Sequence, residues 1–231
     1  KYIVLASTLM VFAMFISSCD KDGIYNPKQK IAKICRDQEG TKVLAETWKW
    51  QDDVLAVITY DSLGEQYDEF EYAKKTNQLE KVISYVNGVE YGYTTLTYDK
   101  SLLQKMEMYS NDKLVESAVV EHTKKKITKI TVTSYEDIYE TDMQKSVSNN
   151  ERFLRVMRFF MPVQIIENLQ RNLQKSTSTI STIEITYDGD NVLSQKMTSS
   201  EYSVSITYTY DSYANPFYDA LFSGDGTSAM A

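Results

Sequence analysis

Glycine and proline are scarce in this chain of 231 residues, at eight and three, and histidine occurs once. That scarcity excludes collagenous repeats and Gly/Pro-rich low-complexity architecture, both of which need these residues in quantity. Two cysteines, Cys19 and Cys35, are too few for a disulfide framework and belong to no metal-like spacing. With His122 as the only histidine, any Ser-His dyad or histidine-based metal site has to rest on that one residue. Catalytic signatures are missing as well: there is no P-loop, no Gly-x-Gly-x-x-Gly, no His-Glu-x-x-His and no Gly-x-Ser-x-Gly. Positive charge is in deficit, 25 lysines and arginines against 32 acidic residues, and the net charge of −7 disfavours nucleic acid and anionic lipid surfaces as partners.

Only one long apolar run occurs, Tyr2 to Phe15, and Asp20, Lys21 and Asp22 stop it well short of the ~20 residues a membrane helix takes. Lys1 before it and small serines after it make it a secretory signal. Ile16-Ser17-Ser18-Cys19 then has the form of a bacterial lipobox, with Cys19 the lipidated first residue of the mature chain. More than one acyl chain there anchors stably, where a single chain holds only marginally. The expected organisation is a signal peptide over 1–18, a flexible tether over 19–29 around Pro27, one domain over 30–222 and a flexible tail over 223–231. The chain starts at Lys1 without methionine, so its initiation site is expected upstream. Loss of 18 residues from 231 leaves 213, ample for a sizeable core, and the charge balance becomes 24 against 32, or −8. Cys35, without a disulfide partner, reads as a small buried hydrophobe.

What the chain has in abundance is tyrosine, 18 residues, and a repeat. Ile31-Ala32-Lys33-Ile34, Leu55-Ala56-Val57-Ile58, Leu79-Glu80-Lys81-Val82, Leu103-Gln104-Lys105-Met106 and Ile127-Thr128-Lys129-Ile130 begin 24 residues apart throughout. That period suits two strands and two turns, so the unit is a β-hairpin. Asn87-Gly88 is the strongest hairpin turn, and Gln38 to Gly40, Asp61 to Gly64, Asn111-Asp112, Thr123 to Lys125 and Asp188 to Asn191 serve other junctions. The predicted fold is all-β: a long, curved antiparallel meander, open or partly closed like a barrel. Alternation is plainest at the end, where Tyr202, Val204, Ile206, Tyr208 and Tyr210 share one face.

A helical period replaces the repeat near residues 148–175. Ser148 or Asn150 is placed to cap a helix with Phe153, Val156, Met157 and Phe160 on one side and Arg152, Arg155 and Arg158 roughly opposite. Pro162 interrupts it, and Ile166, Leu169 and Leu173 form a second stripe. The insertion is expected to cover the apolar face of the sheet; as a lid, it would act through Phe153, Met157, Phe160, Ile166 and Leu169.

The Tyr-Asp junctions Thr59-Tyr60-Asp61, Thr97-Tyr98-Asp99 and Thr186-Tyr187-Asp188, the early Glu46-Thr47-Trp48-Lys49-Trp50 and the closing Tyr210-Asp211-Ser212-Tyr213-Ala214-Asn215-Pro216-Phe217 carry a resemblance. Over about residues 28 to 222 the chain resembles the uncharacterised Bacteroidetes lipoprotein domains described as porin-like in fold. The resemblance implies a curved antiparallel sheet on a lipid tether, with no assigned activity. Asp20-Lys21-Asp22 after the cysteine is also similar to the start of surface-exported lipoproteins of that phylum, which leaves the cell surface and the periplasmic face of the outer membrane both open.

No catalytic residue, metal ligand or cofactor is assigned. His122 stands where sister repeats carry tyrosine, and Asp188-Gly189-Asp190-Asn191 lacks the spacing of a calcium loop. The expected role is a non-catalytic envelope module, held to the membrane through Cys19, that binds a glycan or an envelope protein; a carrier of an apolar ligand, a structural spacer, a hydrolase and an integral barrel are the alternatives. Trp48, Trp50, Tyr91 and Tyr93 are the candidate ligand-binding aromatics, each tryptophan and each tyrosine pair sharing a strand face. Against the integral barrel stand charges on both strand faces, with Lys33, Lys81, Lys105 and Lys129 in one register.

Overall fold

Two apolar residues three apart cannot share one face of a regular strand, because side chains alternate with period two. The apolar-x-Lys-apolar repeat therefore needs an extra residue in each unit. In the computed structural model, which describes residues 30–61, 65–135, 149–161, 166, 180–189, 191–200 and 203–209, that residue is a β-bulge. Ala56, Glu80, Gln104 and Thr128 are each skipped in the ladder to the neighbouring strand. Two residues then oppose one. As a result Leu55 and Ile58, Leu79 and Val82, Leu103 and Met106, and Ile127 and Ile130 are all buried in one core.

Twelve strands follow in order: β1 (Lys33–Gln38), β2 (Thr41–Gln51), β3 (Val54–Tyr60), β4 (Gln66–Tyr72), β5 (Leu79–Val86), β6 (Val89–Asp99), β7 (Leu102–Ser110), β8 (Lys113–Thr123), β9 (Lys126–Ser134), β10 (Ile180–Asp188), β11 (Asn191–Ser199) and β12 (Ser203–Thr207). Each pairs antiparallel with its sequence neighbour, so the described strands form one open meander. The predicted all-β class is the observed one. Bulges bend a strand and raise its local twist, and their recurrence curves this sheet around a single apolar cluster that reaches from Trp48 on β2 to Met197 on β11.

Tight turns close the hairpins. Asn87 and Gly88 both have positive φ, 52° and 75°, as the turn that matches strand twist demands. Lys124 and Lys125 adopt the same geometry, φ 52° and 70°, although lysine has no intrinsic preference for it; there the register of β8 and β9 overrides local propensity. Asp52-Asp53 and Lys100-Ser101 make further two-residue turns that composition did not single out. A second device recurs at the bulges, where an aromatic donates to the main chain of the preceding strand's start. Trp50 Nε1 donates to the Ile31 carbonyl at 2.8 Å, Tyr72 Oη to Leu55 at 2.9 Å and Tyr187 Oη to Ile127 at 2.7 Å.

Helix α1 (Asn149–Met157) lies in the concave face. Phe153 and Met157 are completely buried, and Met161 beyond the helix is too. Phe159 sits edge-on to Phe70 at 5.4 Å and to Trp48 at 5.9 Å, which ties the segment to β4 and β2. The insertion thus covers the apolar face, as its period predicts. Two of its three arginines, however, do not face solvent: Arg152 is 5 % and Arg155 9 % exposed, while Arg158 is partly exposed. An isolated helix on a flat sheet would expose that side; here the sheet curls far enough to enclose it. Asn150 is within the helix rather than its cap, while Ser148, Pro162, Leu169 and Leu173 lie outside the described residues.

Cys35 is exposed, not buried. It belongs to an edge strand on which only Ile34 is partly covered, so the core ends before reaching it. Val204 on the opposite edge strand is exposed as well, whereas Tyr208 packs against the core; Tyr202 and Tyr210 lie outside the described residues. The same holds for the signal, Cys19 and the tether up to residue 29, and for the tail.

Candidate functional site

Polar groups enter the core where α1 meets the sheet. Arg158 donates to both oxygens of Glu46, at 2.8 and 3.1 Å, and Trp48 Nε1 donates to the same carboxylate at 2.8 Å. Burial raises the Glu46 carboxyl, but the Arg158 charge and these hydrogen bonds outweigh it and hold the group below its ordinary range. Next along the sheet, Tyr60 Oη donates to Asp68 at 2.6 Å. The Arg155 guanidinium stacks 3.8 Å from the Tyr60 ring and reaches Glu151 at 3.2 Å. Burial, and then the Asp68 charge, push the Tyr60 phenol well above its usual value.

Arg152 is the least satisfied member. Its guanidinium lies 4.6 Å from the Tyr91 ring, and one nitrogen, Nη1, donates to Asn149 Oδ1 at the long distance of 3.5 Å. Nε and Nη2 are buried without a hydrogen-bond partner. Room for this side chain comes from Gly92 on β6, where a Cβ would stand 2.9 Å from Nη2 and 2.2 Å from the Tyr109 carbonyl oxygen. Glycine inside a strand marks such a close approach. Glu116, 2 % exposed, accepts from Ser134 Oγ at 3.4 Å through one oxygen, while its other oxygen has no partner. Burial pushes its carboxyl up to about 8, with Ser134 and Arg152 pulling weakly the other way. A narrow cleft with room for about one water molecule borders Arg152 and Arg155 and is walled by β4, β5 and β6 through residues that include Gln66, Asp68, Ser84 and Tyr91.

The opposite face of the same strands carries tyrosines. Tyr67 and Tyr85 pair across β4 and β5 and stack at 4.7 Å with planes 10° apart. Tyr93 and Tyr109 do the same across β6 and β7 at 4.9 Å and 20°. Lys81 holds its amine 4.3 Å from the Tyr93 ring. These rings are half-buried, each covered by its neighbour and open on one side.

The aromatics singled out from sequence divide between these settings. Trp48 and Trp50 do share a face, but it is the covered one: Trp48 is 5 % exposed and bonded to Glu46, and Trp50 packs against the core. Neither forms part of an exposed row. Tyr91 and Tyr93 do not share a face, because Tyr91 is the added residue of a bulge opposite Ser84 and Tyr85. Tyr91 therefore turns onto Arg152, and Tyr93 turns outward onto Tyr109. Of the lid residues, Phe153 and Met157 are buried, and Phe160 and Ile166 pack against the core. His122 occupies the bulge position that Trp50 and Tyr98 occupy in sister units, half-buried, and burial lowers its imidazole below the ordinary value. Asp188 and Gly189 belong to the turn between β10 and β11.

Missed from sequence were Arg152, Gly92, Asp68 and Glu116. A signal existed: Asp68, Gly92 and Glu116 stand 24 residues apart, one core-facing position of the repeat occupied in turn by acid, glycine and acid. No protein-family model matches the chain, and no curated protein matches it either. Among the described residues no helix is long and apolar enough to cross a membrane.

Proposed function

We propose that this chain is a lipid-anchored envelope lipoprotein, tethered through Cys19 and related to the Bacteroidetes domains its Tyr-Asp junctions resemble, that works as a non-catalytic binding module for a glycan or an envelope protein. The observation that carries this reading is the outward tyrosine row, Tyr67 with Tyr85 and Tyr93 with Tyr109. Rigid aromatic rings with two rotatable angles lose little entropy on binding and offer both an apolar face and a hydroxyl to a partner. Their backbone is fixed by a ladder on both sides, so the row is preorganised rather than assembled on contact. The row takes over the part first given to Trp48 and Trp50. A carrier of apolar ligands, by contrast, needs an unfilled concave face, and Phe153, Met157 and Met161 occupy it.

The experiment is a glycan array together with a pull-down from envelope extract, using the mature chain and the double variant Tyr67→Ala, Tyr93→Ala. The wild type should retain at least one partner that the variant loses, while the far-UV circular dichroism of the two stays alike. A partner held equally by both would sink the tyrosine row, and an empty screen would sink the binding module.

A further inference from the structure

We propose that the lysine-bearing end of the sheet docks on the anionic headgroups of a lipid bilayer, so that the domain stands on the membrane with its hairpin tips. In a meander the turns alternate between two ends, and the two ends of this sheet differ in charge. At one end the neighbouring tips over 73–78, 99–101 and 123–126 carry Lys74, Lys75, Lys100, Lys124, Lys125 and Lys126 against the single acid Asp99. At the other, the tips between β3 and β4, β5 and β6, and β7 and β8 carry Asp61, Glu65, Glu90 and Asp112 against Lys113. Asp52-Asp53 and Asp188 flank the lysine tips, which centres the positive charge on the three middle hairpins. Neighbouring tips are also fastened to one another: Gln78 Nε2 donates to the Lys100 carbonyl and Lys126 Nζ to that of Gly189.

The turns themselves point beyond folding. Lys100, Lys124 and Lys125 hold φ of 56°, 52° and 70°, a region that favours asparagine and glycine. The opposite end uses such residues in its own two-residue turns, Asn87-Gly88 and Asn111-Asp112. Lysine thus stands where turn stability alone does not place it. Lys74, Lys75, Lys100, Lys124 and Lys125 are all exposed.

The point at which the chain enters gives the direction of the membrane. Lys30 pairs with Asp53, and Trp50 Nε1 donates to the Ile31 carbonyl, so the chain enters the domain at the lysine end. Eleven residues along from Cys19 the chain reaches Lys30, a span of at most about 40 Å when fully extended. That reach, which rests on the lipoprotein reading, keeps the lysine end near a lipid on Cys19 without fixing how the domain is turned. Charge supplies the orientation and does not depend on that reading. Each lysine close to an anionic surface favours partitioning by roughly five-fold. The net charge of −7 does not cancel this. Fields between exposed charges fade over about 8 Å at physiological salt, whereas β6, with 11 residues, sets the acidic end roughly 30 Å away. The deficit of positive charge therefore argues against anionic lipid for the chain as a whole and not for this end.

The mature chain carrying Cys35→Ser, coupled through Cys19 to a maleimide lipid, sits on vesicles whether or not that cysteine is lipidated in the cell. Acetylation of its lysines, read by mass spectrometry, is compared on phosphatidylcholine and on phosphatidylcholine with about one-third phosphatidylglycerol. Lys74, Lys75, Lys100, Lys124 and Lys125 should react at least roughly three-fold more slowly on the anionic vesicles, with Lys113 unchanged, and about 0.5 M sodium chloride should abolish the difference. Lys124→Asn with Lys125→Gly removes two charges and installs a turn that prefers positive φ. It should keep the fold and lose most of the protection at Lys74, Lys75 and Lys100. Equal acetylation on the two vesicles, protection of Lys113 along with the rest, or full protection in the turn variant overturns the proposal. So does protection by soluble polygalacturonate on neutral vesicles with none from phosphatidylglycerol, which would make the partner an acidic glycan. Failure of the native mature chain to float with neutral vesicles would remove the lipid anchor and leave the lysine end to the coupled chain, so the two readings fail separately.

Discussion

On β4 the Tyr67 ring stacks in the open against Tyr85, while Asp68, one residue on, is sealed beneath α1 with Tyr60 as its partner. The same alternation runs along β6, where Tyr93 faces outward and Gly92 faces Arg152. One set of strands therefore builds two surfaces with opposite rules. Outside, water solvates every polar group, and side-chain exchange is a local matter. Inside, charges are held by few partners, as Glu46 is by Arg158 and Trp48, and there is little solvent to replace a lost one. The concave face should respond to substitution far more strongly than the convex one.

The largest effect is expected at Glu46. Glu46→Ala leaves the largely covered Arg158 without its carboxylate, a loss of about 3 kcal/mol, measurable by urea unfolding. A loss no larger than that of an exposed substitution would end the distinction between the faces. Gly92→Ala follows, at about 3 kcal/mol, since its new Cβ meets the Tyr109 main-chain oxygen and Arg152 together; an unchanged midpoint would mean that β6 and β7 separate easily. Glu116→Gln sharpens the comparison through pH. The folded carboxyl holds its proton up to about pH 8, whereas an unfolded one releases it near 4.3, so the stability contributed by burying neutral Glu116 is full below about pH 4 and declines as pH rises to about 8. The glutamine variant escapes that decline: its stability relative to the wild type should rise by on the order of 3–4 kcal/mol between pH 5 and pH 8. An unchanged difference across that range would place Glu116 in contact with water. Least affected is Tyr67→Ala, for which loss of a half-exposed cross-strand pair should cost under about 1 kcal/mol by thermal unfolding.

Much of the meander was legible in the chain. The five motifs at 24-residue spacing and Asn87-Gly88 are local signals, and local signals survive any tertiary context. Less legible was the bulge within each motif, although its reason was already present in a three-residue apolar spacing that no flat strand accommodates. The misjudged positions share a cause. Trp48 and Trp50 share the covered face, and Arg152 and Arg155, opposite the apolar side of the helix, are buried too, because sequence periodicity assigns residues to sides without saying which side is covered. Tyr91 left the face of Tyr93 because one added residue reverses the alternation.

By itself the sequence determined that the chain makes hairpin strands in one order, that an amphipathic helix interrupts them and that its acidic, cysteine-poor composition suits no nucleic acid or disulfide scaffold. These are properties of period, turn chemistry and composition, each readable within a few residues. Only the tertiary structure decided that the sheet curls until both sides of the helix are enclosed, and so brings Arg152 of α1 between Gly92 of β6 and Glu116 of β8. Curvature is a sum over many bulges and twists, and no single segment carries it; the two unpaired donors of Arg152 exist because that sum closes over them.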